Sequence, residues 1–131
     1  MPILRRTRPQ VLEFHSFWQG SPSRTSATQL QVMSFLHTQP SCTRYTLWLE
    51  QQAYVKAYEL ALSRAHPLVA AGMVEGRVRV KALDKAELSK GTPFEGRRIT
   101  AGPGRAMGYS DLIRFMVLAK HGGKMLYFYE I

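Results

Sequence analysis

Two charged side chains near the C-terminal end of the sequence sit where charge is expensive. Asp111 and Arg114 fall three residues apart in DLIRFMVLAK, a run that is otherwise almost wholly apolar. Residues at this spacing are neighbours on a helix surface. Such a pair either satisfies itself as an ion pair that helps to cap the helix, or serves a ligand through hydrogen bonds. Trp18 is a third candidate, closing the apolar run VLEFHSFW just before the turn cluster Gly20-Ser21-Pro22. Residue type alone favours a core tryptophan. Its place at the C-terminal end of a first strand favours a ligand about equally, because open α/β sheets bind ligands there. Arg97, Arg98 and Arg105 offer guanidinium groups suited to phosphate, in a stretch where a flexible basic loop is the commoner outcome.

Other chemistries find little support. His15, His37, His66 and His121 lack metal-ligand spacing, and Cys42 has no CxxC partner. GPGRAMG lacks the lysine-serine/threonine ending of a P-loop and the GxGxxG spacing of a dinucleotide fingerprint. The formal net charge of +9 favours anionic partners in general. No helix-turn-helix, zinc or RNP pattern accompanies it, so nucleic acid is the less favoured partner.

The elements that must position these residues read as an α/β alternation with a mostly parallel sheet. At 131 residues the chain is about one domain. A strand over Val11–Trp18 leads to a helix over Thr25–Thr38, with Leu30, Met33, Phe35 and Leu36 on its stripe. Arg44–Glu50 is a second strand, with Tyr45, Leu47 and Leu49 on one face and Trp48 structural. An amphipathic helix over Gln52–Ala65 carries Tyr54, Tyr58, Ala61, Leu62 and Ala65, and His66-Pro67 ends or bends it. Leu68–Met73 continues as helix. Arg77–Leu83 alternates apolar and basic residues, the pattern of an edge strand defended by charge. A short helix capped by Asp84 precedes an irregular loop over residues 90–108. Ser110 is the expected N-cap of a last helix, with Asp111 in its first turn, apolar almost all round and buried on several sides. Gly122 ends it, and Lys124–Ile131 is the last strand. No run of ~18 apolar residues could span a membrane. No signal-peptide h-region is read at the N-terminus, and the single cysteine fits a reducing compartment, so the expected location is cytoplasmic.

The segment YSDLIRFMVLAKHGGKMLYFYEI resembles the DXD-containing sugar-nucleotide region of a glycosyltransferase family that includes the clostridial toxin glucosyltransferases. That family's pattern is serine-aspartate, two apolar residues, arginine, an apolar helix, Gly-Gly, and a strand bearing Asp-x-Asp. Ser110, Asp111, Arg114, Gly122 and Gly123 match it in identity and spacing, whereas the Asp-x-Asp positions read Tyr127, Phe128, Tyr129. Phe17-Trp18-Gln19-Gly20 is similar to the ending of the family's first strand, and SFLHTQPSCTRYTLWLE to its second helix and strand. The resemblance implies the N-terminal, Rossmann-like nucleotide-binding half of a GT-A fold. It implies a UDP- or GDP-sugar donor and, as family activity, transfer of the sugar to an acceptor. By the same resemblance Trp18 stacks on the base, and Asp111 and Arg114 reach the ribose and donor sugar. It also implies Mn²⁺ or Mg²⁺, hard cations that need carboxylate oxygens missing from these positions. The expectation is therefore a single, incomplete domain over residues 1–131, degenerate or truncated as a transferase, with an exposed edge at its last strand. A non-catalytic nucleotide-sugar-binding module is the alternative.

Overall fold

The computed structural model describes residues 11–19, 26–100 and 106–127, and the side chains of all of these except 106 and 107. Strands β1 (Leu12–Trp18), β2 (Thr43–Leu49), β3 (Val78–Ala82) and β4 (Lys124–Leu126) form one sheet in the order β3-β2-β1-β4. Every neighbouring pair is parallel. β1 pairs with β2 along its whole length, from Leu12 opposite Thr43 to Trp18 opposite Leu49. On its other side it pairs with β4, Phe14 standing opposite Lys124. Parallel neighbours need long crossovers. These are α1 (Ser26–Thr38), α2 (Val55–Ala65) with α3 (Pro67–Val74), and α4 (Lys85–Ser89) with α5 (Ala106–His121). A 3-10 turn at Gln52–Tyr54 leads into α2.

Side-chain alternation divides the core into two layers. Phe14, Tyr45, Leu47, Leu49, Val78 and Val80 point to one face and pack against Val32, Phe35, Tyr58, Leu62 and Val69 of α1–α3. Phe17 and Trp48 point to the other and meet Leu88 of α4 and Tyr109, Ile113, Met116 and Val117 of α5. The first two crossovers thus run over one face in one direction, and the third returns over the opposite face. Strand order reverses between β1 and β4, and in open parallel sheets ligands lie at the carboxyl ends of strands at such a reversal.

Local chemistry explains the joints. After Ala65 the backbone extends at His66 (φ −163°), whose Nδ1 accepts the N–H of Leu68 at 3.0 Å while Pro67 takes the first helical position. One helix therefore ends and a separate one begins. Asp84 caps α4 as expected, accepting the N–H of Glu87 at 3.2 Å.

Four expectations need correction. Ser110 is not an N-cap and Asp111 is not in the first turn, because α5 begins at Ala106. Tyr109 anchors the additional turn: its ring packs edge-on against Phe17, centroids 6.3 Å apart, and this burial outweighs the weak helix preference of Gly108. The irregular stretch accordingly stops short of residue 108; its residues 101–105 lie outside the described residues. Nor is α5 buried on several sides. Ile113, Met116 and Val117 are fully buried along one stripe, but Phe115 is 65% exposed. On α1 the buried positions are Thr28, Val32 and Phe35, while Leu30 faces solvent. The last strand closes at Leu126, β4 is an edge strand as expected, and residues 128–131 lie outside the described residues.

Candidate functional site

Trp18 ends β1 at the carboxyl edge of the sheet, half-buried on the α1–α3 face. Its indole N–H donates to the Tyr58 hydroxyl on α2 at 2.6 Å, which fixes the ring's orientation. Below it Gln31 of α1 gathers a polar cluster. The Tyr45 hydroxyl lies 2.6 Å from Gln31 Oε1 and 2.9 Å from Ser16 Oγ, and Ser16 also donates to Gln31. Burial pushes the Tyr45 phenol far above its ordinary range, so it stays a neutral donor. The Gln31 amide donates to the Tyr127 carbonyl at 3.2 Å, tying α1 to the end of β4.

Arg114 approaches the end of β4 from α5. Its guanidinium lies 4.8 Å from the centre of the Tyr127 ring, a cation–π contact. Asp111 is 3.7 Å away, beyond good hydrogen-bond length, and is 73% exposed while Arg114 is 16% exposed. Arg114 Nε is enclosed without an acceptor. The pair is therefore loose, and since it begins in the second turn of α5 it does not cap the helix. Trp18 and Arg114 belong to layers on opposite faces of the sheet, Trp18 at the end of β1 and Arg114 on α5 against Tyr127, just past β4. Asp111 points to solvent from the same helix.

The described part of the expected metal position does not suit a divalent cation. Tyr127 offers a phenol where hard cations need carboxylate oxygens, its carbonyl already accepts from Gln31, and a guanidinium rests against its ring. Phe128 and Tyr129 lie outside the described residues. Among the described residues no three histidine, cysteine or carboxylate side chains converge as a ligand set.

The same edge carries a basic cavity of about 530 Å³, lined by Arg97, Arg98, Phe94, Ile99, Tyr109 and Leu112. Arg105, also a phosphate candidate, lies outside the described residues. The cavity wall is fixed by a network the sequence did not reveal. The Tyr109 hydroxyl sits 2.6 and 2.7 Å from the two oxygens of Glu50, and Lys85 Nζ is 2.9 Å from Glu50 Oε1. Lys85 also donates to the Ile99 carbonyl at 3.2 Å and lies 4.9 Å from the Tyr109 ring. Burial, reinforced by the Glu50 carboxylate, pushes the Tyr109 phenol up to about 12. Burial alone would lower the Lys85 ammonium, but hydrogen bonds to Tyr109 and Glu50 outweigh it and raise it. The available signal was positional: Glu50 directly follows β2, and Lys85 opens the helix that follows β3. No helix among the described residues is long and apolar enough to cross a membrane. Compared with family models, curated proteins and solved structures, the chain matches none.

Proposed function

We propose that the carboxyl edge of this sheet binds a nucleotide-sugar and that the chain acts as a nucleotide-sugar-binding module of glycosyltransferase lineage. The observation that carries the reading is the reversal of strand order between β1 and β4. Ligands of open parallel sheets lie at such a switch point, and here Trp18 ends one flanking strand while Tyr127 and Arg114 stand at the other. Trp18, held by Tyr58, offers an aromatic platform for a base. Arg114, with a buried Nε–H and few acceptors, can donate to ribose or sugar hydroxyls, and Asp111 can accept from them. Arg97 and Arg98, in the cavity on the α5 side of the edge, are placed to offset the diphosphate charge where the family uses a metal.

Calorimetric titration with UDP- and GDP-sugars, each with and without Mn²⁺, tests this. The expected result is saturable binding, insensitive to Mn²⁺ and weakened about fivefold or more by Trp18→Ala, since stacking on one base is worth about 1–3 kcal/mol. Trp18→Phe keeps a platform and should retain most of the affinity. Manganese-dependent binding would mean that carboxylate ligands operate elsewhere. Absence of nucleotide binding together with salt-sensitive RNA binding would replace the reading with a nucleic-acid one.

A further inference from the structure

Beyond the end of α5 the second face of the sheet is not apolar. The strand register sets Glu13 beside Arg44, His15 beside Thr46, Thr46 beside Arg79, and Trp48 beside Lys81, all on that face. Parallel sheets ordinarily cover both faces with apolar residues and helices. Here Glu13, His15, Arg44, Thr46, Trp48, Arg79, Lys81 and His121 enclose a polar pocket of about 250 Å³. We infer that this pocket is an anion site, separate from the carboxyl edge, in which Arg44, Arg79, Lys81 and His121 take a small tetrahedral oxyanion: inorganic phosphate or the phosphoryl group of a phosphomonoester.

Charge is the first reason. Three permanent cations share one carboxylate, Glu13, which pairs with Arg44 and, at 3.3 Å, with Arg79. Lys81 makes no ion pair among the described residues. Arg79 adds only a bond to the Thr46 hydroxyl at 3.3 Å, and the Nε–H groups of both arginines are enclosed without an acceptor. Donors thus outnumber acceptors in a recess open to solvent at Lys81 and His121, with the Arg44 and Arg79 side chains 41% and 33% exposed. Guanidinium forks match the oxygens of a tetrahedral oxyanion. A recess of this size is below the range of pockets that hold drug-sized ligands, roughly 300–1,000 Å³, so a nucleotide does not fit.

The pocket's walls are also set. The Trp48 indole donates to His15 Nδ1 at 3.0 Å, and His15 Nε2–H donates to the Gly122 carbonyl at 3.1 Å. Both nitrogens of His15 are therefore engaged, and it serves as wall rather than ligand. The His121 ring packs on Trp48 and His15 with centroids 5.3 and 5.8 Å apart, and no hydrogen bond fixes its nitrogens among the described residues. Its proton affinity is held down by burial first, then by Lys120, Lys81 and Arg79, with Glu13 acting the other way; Arg44 and His15 complete the groups around it. A bound oxyanion would favour the imidazolium, so binding and protonation of His121 reinforce one another.

Titration of the full chain with inorganic phosphate and with glycerol 3-phosphate tests the site. Saturable binding of either is expected, weakened fivefold or more by Lys81→Ala and unchanged by Arg64→Ala, an exposed position on α2 on the other face of the sheet. The tighter of the two probes identifies the source of the anion. Sulfate, which keeps its charge across the range, should bind about threefold more tightly at pH 5 than at pH 8. The His121 titration followed by NMR should then move up by about half a unit, the same factor read reciprocally. Failure of both probes to saturate, binding lost in Arg64→Ala but kept in Lys81→Ala, or sulfate binding that ignores pH and His121 would each overturn the site.

Discussion

The Gly122-Gly123 pair offers the sharpest test of how β4 is attached. Both residues have positive φ, +67° and +86°, so a side chain at either costs about 1 kcal/mol of backbone strain. Space separates them. A Cβ at Gly122 meets nothing within 4 Å, whereas one at Gly123 would lie 2.1 Å from the Glu13 carbonyl oxygen and 2.9 Å from its carbon. Contact would require the two backbones to part by about 1 Å. β1 cannot yield, since it is paired on both sides, so β4 must. That weakens a ladder of only three residues and loosens the His15–Gly122 bond, a loss of about 3–4 kcal/mol by the usual worth of such bonds and of partly buried Met125 and Leu126. Gly122→Ala should therefore lose about 1 kcal/mol and Gly123→Ala about 4–5. At roughly 4 °C per kcal/mol for a domain of this size, melts followed by tryptophan fluorescence should drop by about 4 °C and by well over 10 °C. Equal losses in the two variants, within about 0.5 kcal/mol, would refute the close approach of Gly123 to β1.

The Glu50 network predicts that Tyr109→Phe costs about 1.5–3 kcal/mol in urea unfolding, the usual worth of a hydrogen bond to a charged group. In the wild type the Tyr109 phenol is held up to about 12 against an ordinary 10, so the folded state keeps a proton the unfolded state releases. Its stabilising contribution is complete below pH 10 and declines as pH rises through about 12; Tyr109→Phe should flatten that decline. His15 behaves in the opposite sense. Burial, the largest influence, lowers its proton affinity, so the folded state resists a proton that the unfolded state accepts below about 6.5. Stability should fall as pH drops below that value, and long-range ¹⁵N NMR should find His15 as the neutral Nε2–H tautomer at pH 7. An Nδ1–H tautomer would contradict the Trp48 bond.

Period and punctuation made most of the scaffold legible. Alternation in RVRVKA, the His66-Pro67 break and the Asp84 cap each reflect chemistry confined to a few neighbouring residues, and each stands in the structure as read. The start of α5 was misread because Ser110 is a good cap by type, whereas the additional turn depends on Tyr109 meeting Phe17 and Glu50, far away in sequence. Leu30 and Phe115 failed for a related reason: periodicity marks a stripe, and only the partner element decides which side of it is covered. At the candidate site Trp18 was legible as a strand-end residue, but its bond to Tyr58 was not. The basic side of β3 was read as defence of an edge. β3 is an edge, yet Arg79 reaches back over β2 to Glu13, and exposed Lys81 borders the same pocket as Arg44 and His121, a juxtaposition that exists only once three strands are in register.

The middle position of β1 sets an order of events during synthesis. β1, β2, β3 and α1–α3 can assemble their shared layer once the chain through β3 has left the ribosome, because its contacts run between successive segments. Nothing yet shields the far side of that half-built sheet. Phe17 and Trp48 must wait for α5, and the free rim of β1 must wait for β4, across separations such as the 107 residues between His15 and Gly122. Closing so long a loop is slow, and meanwhile an apolar strip and an unpaired rim stay open to solvent or to chaperones. Newly made chains should thus be most prone to mispairing after β3 emerges and before Lys124–Leu126 arrives. The charged row of Arg44, Arg79 and Lys81 on that same exposed side is well placed to keep them apart.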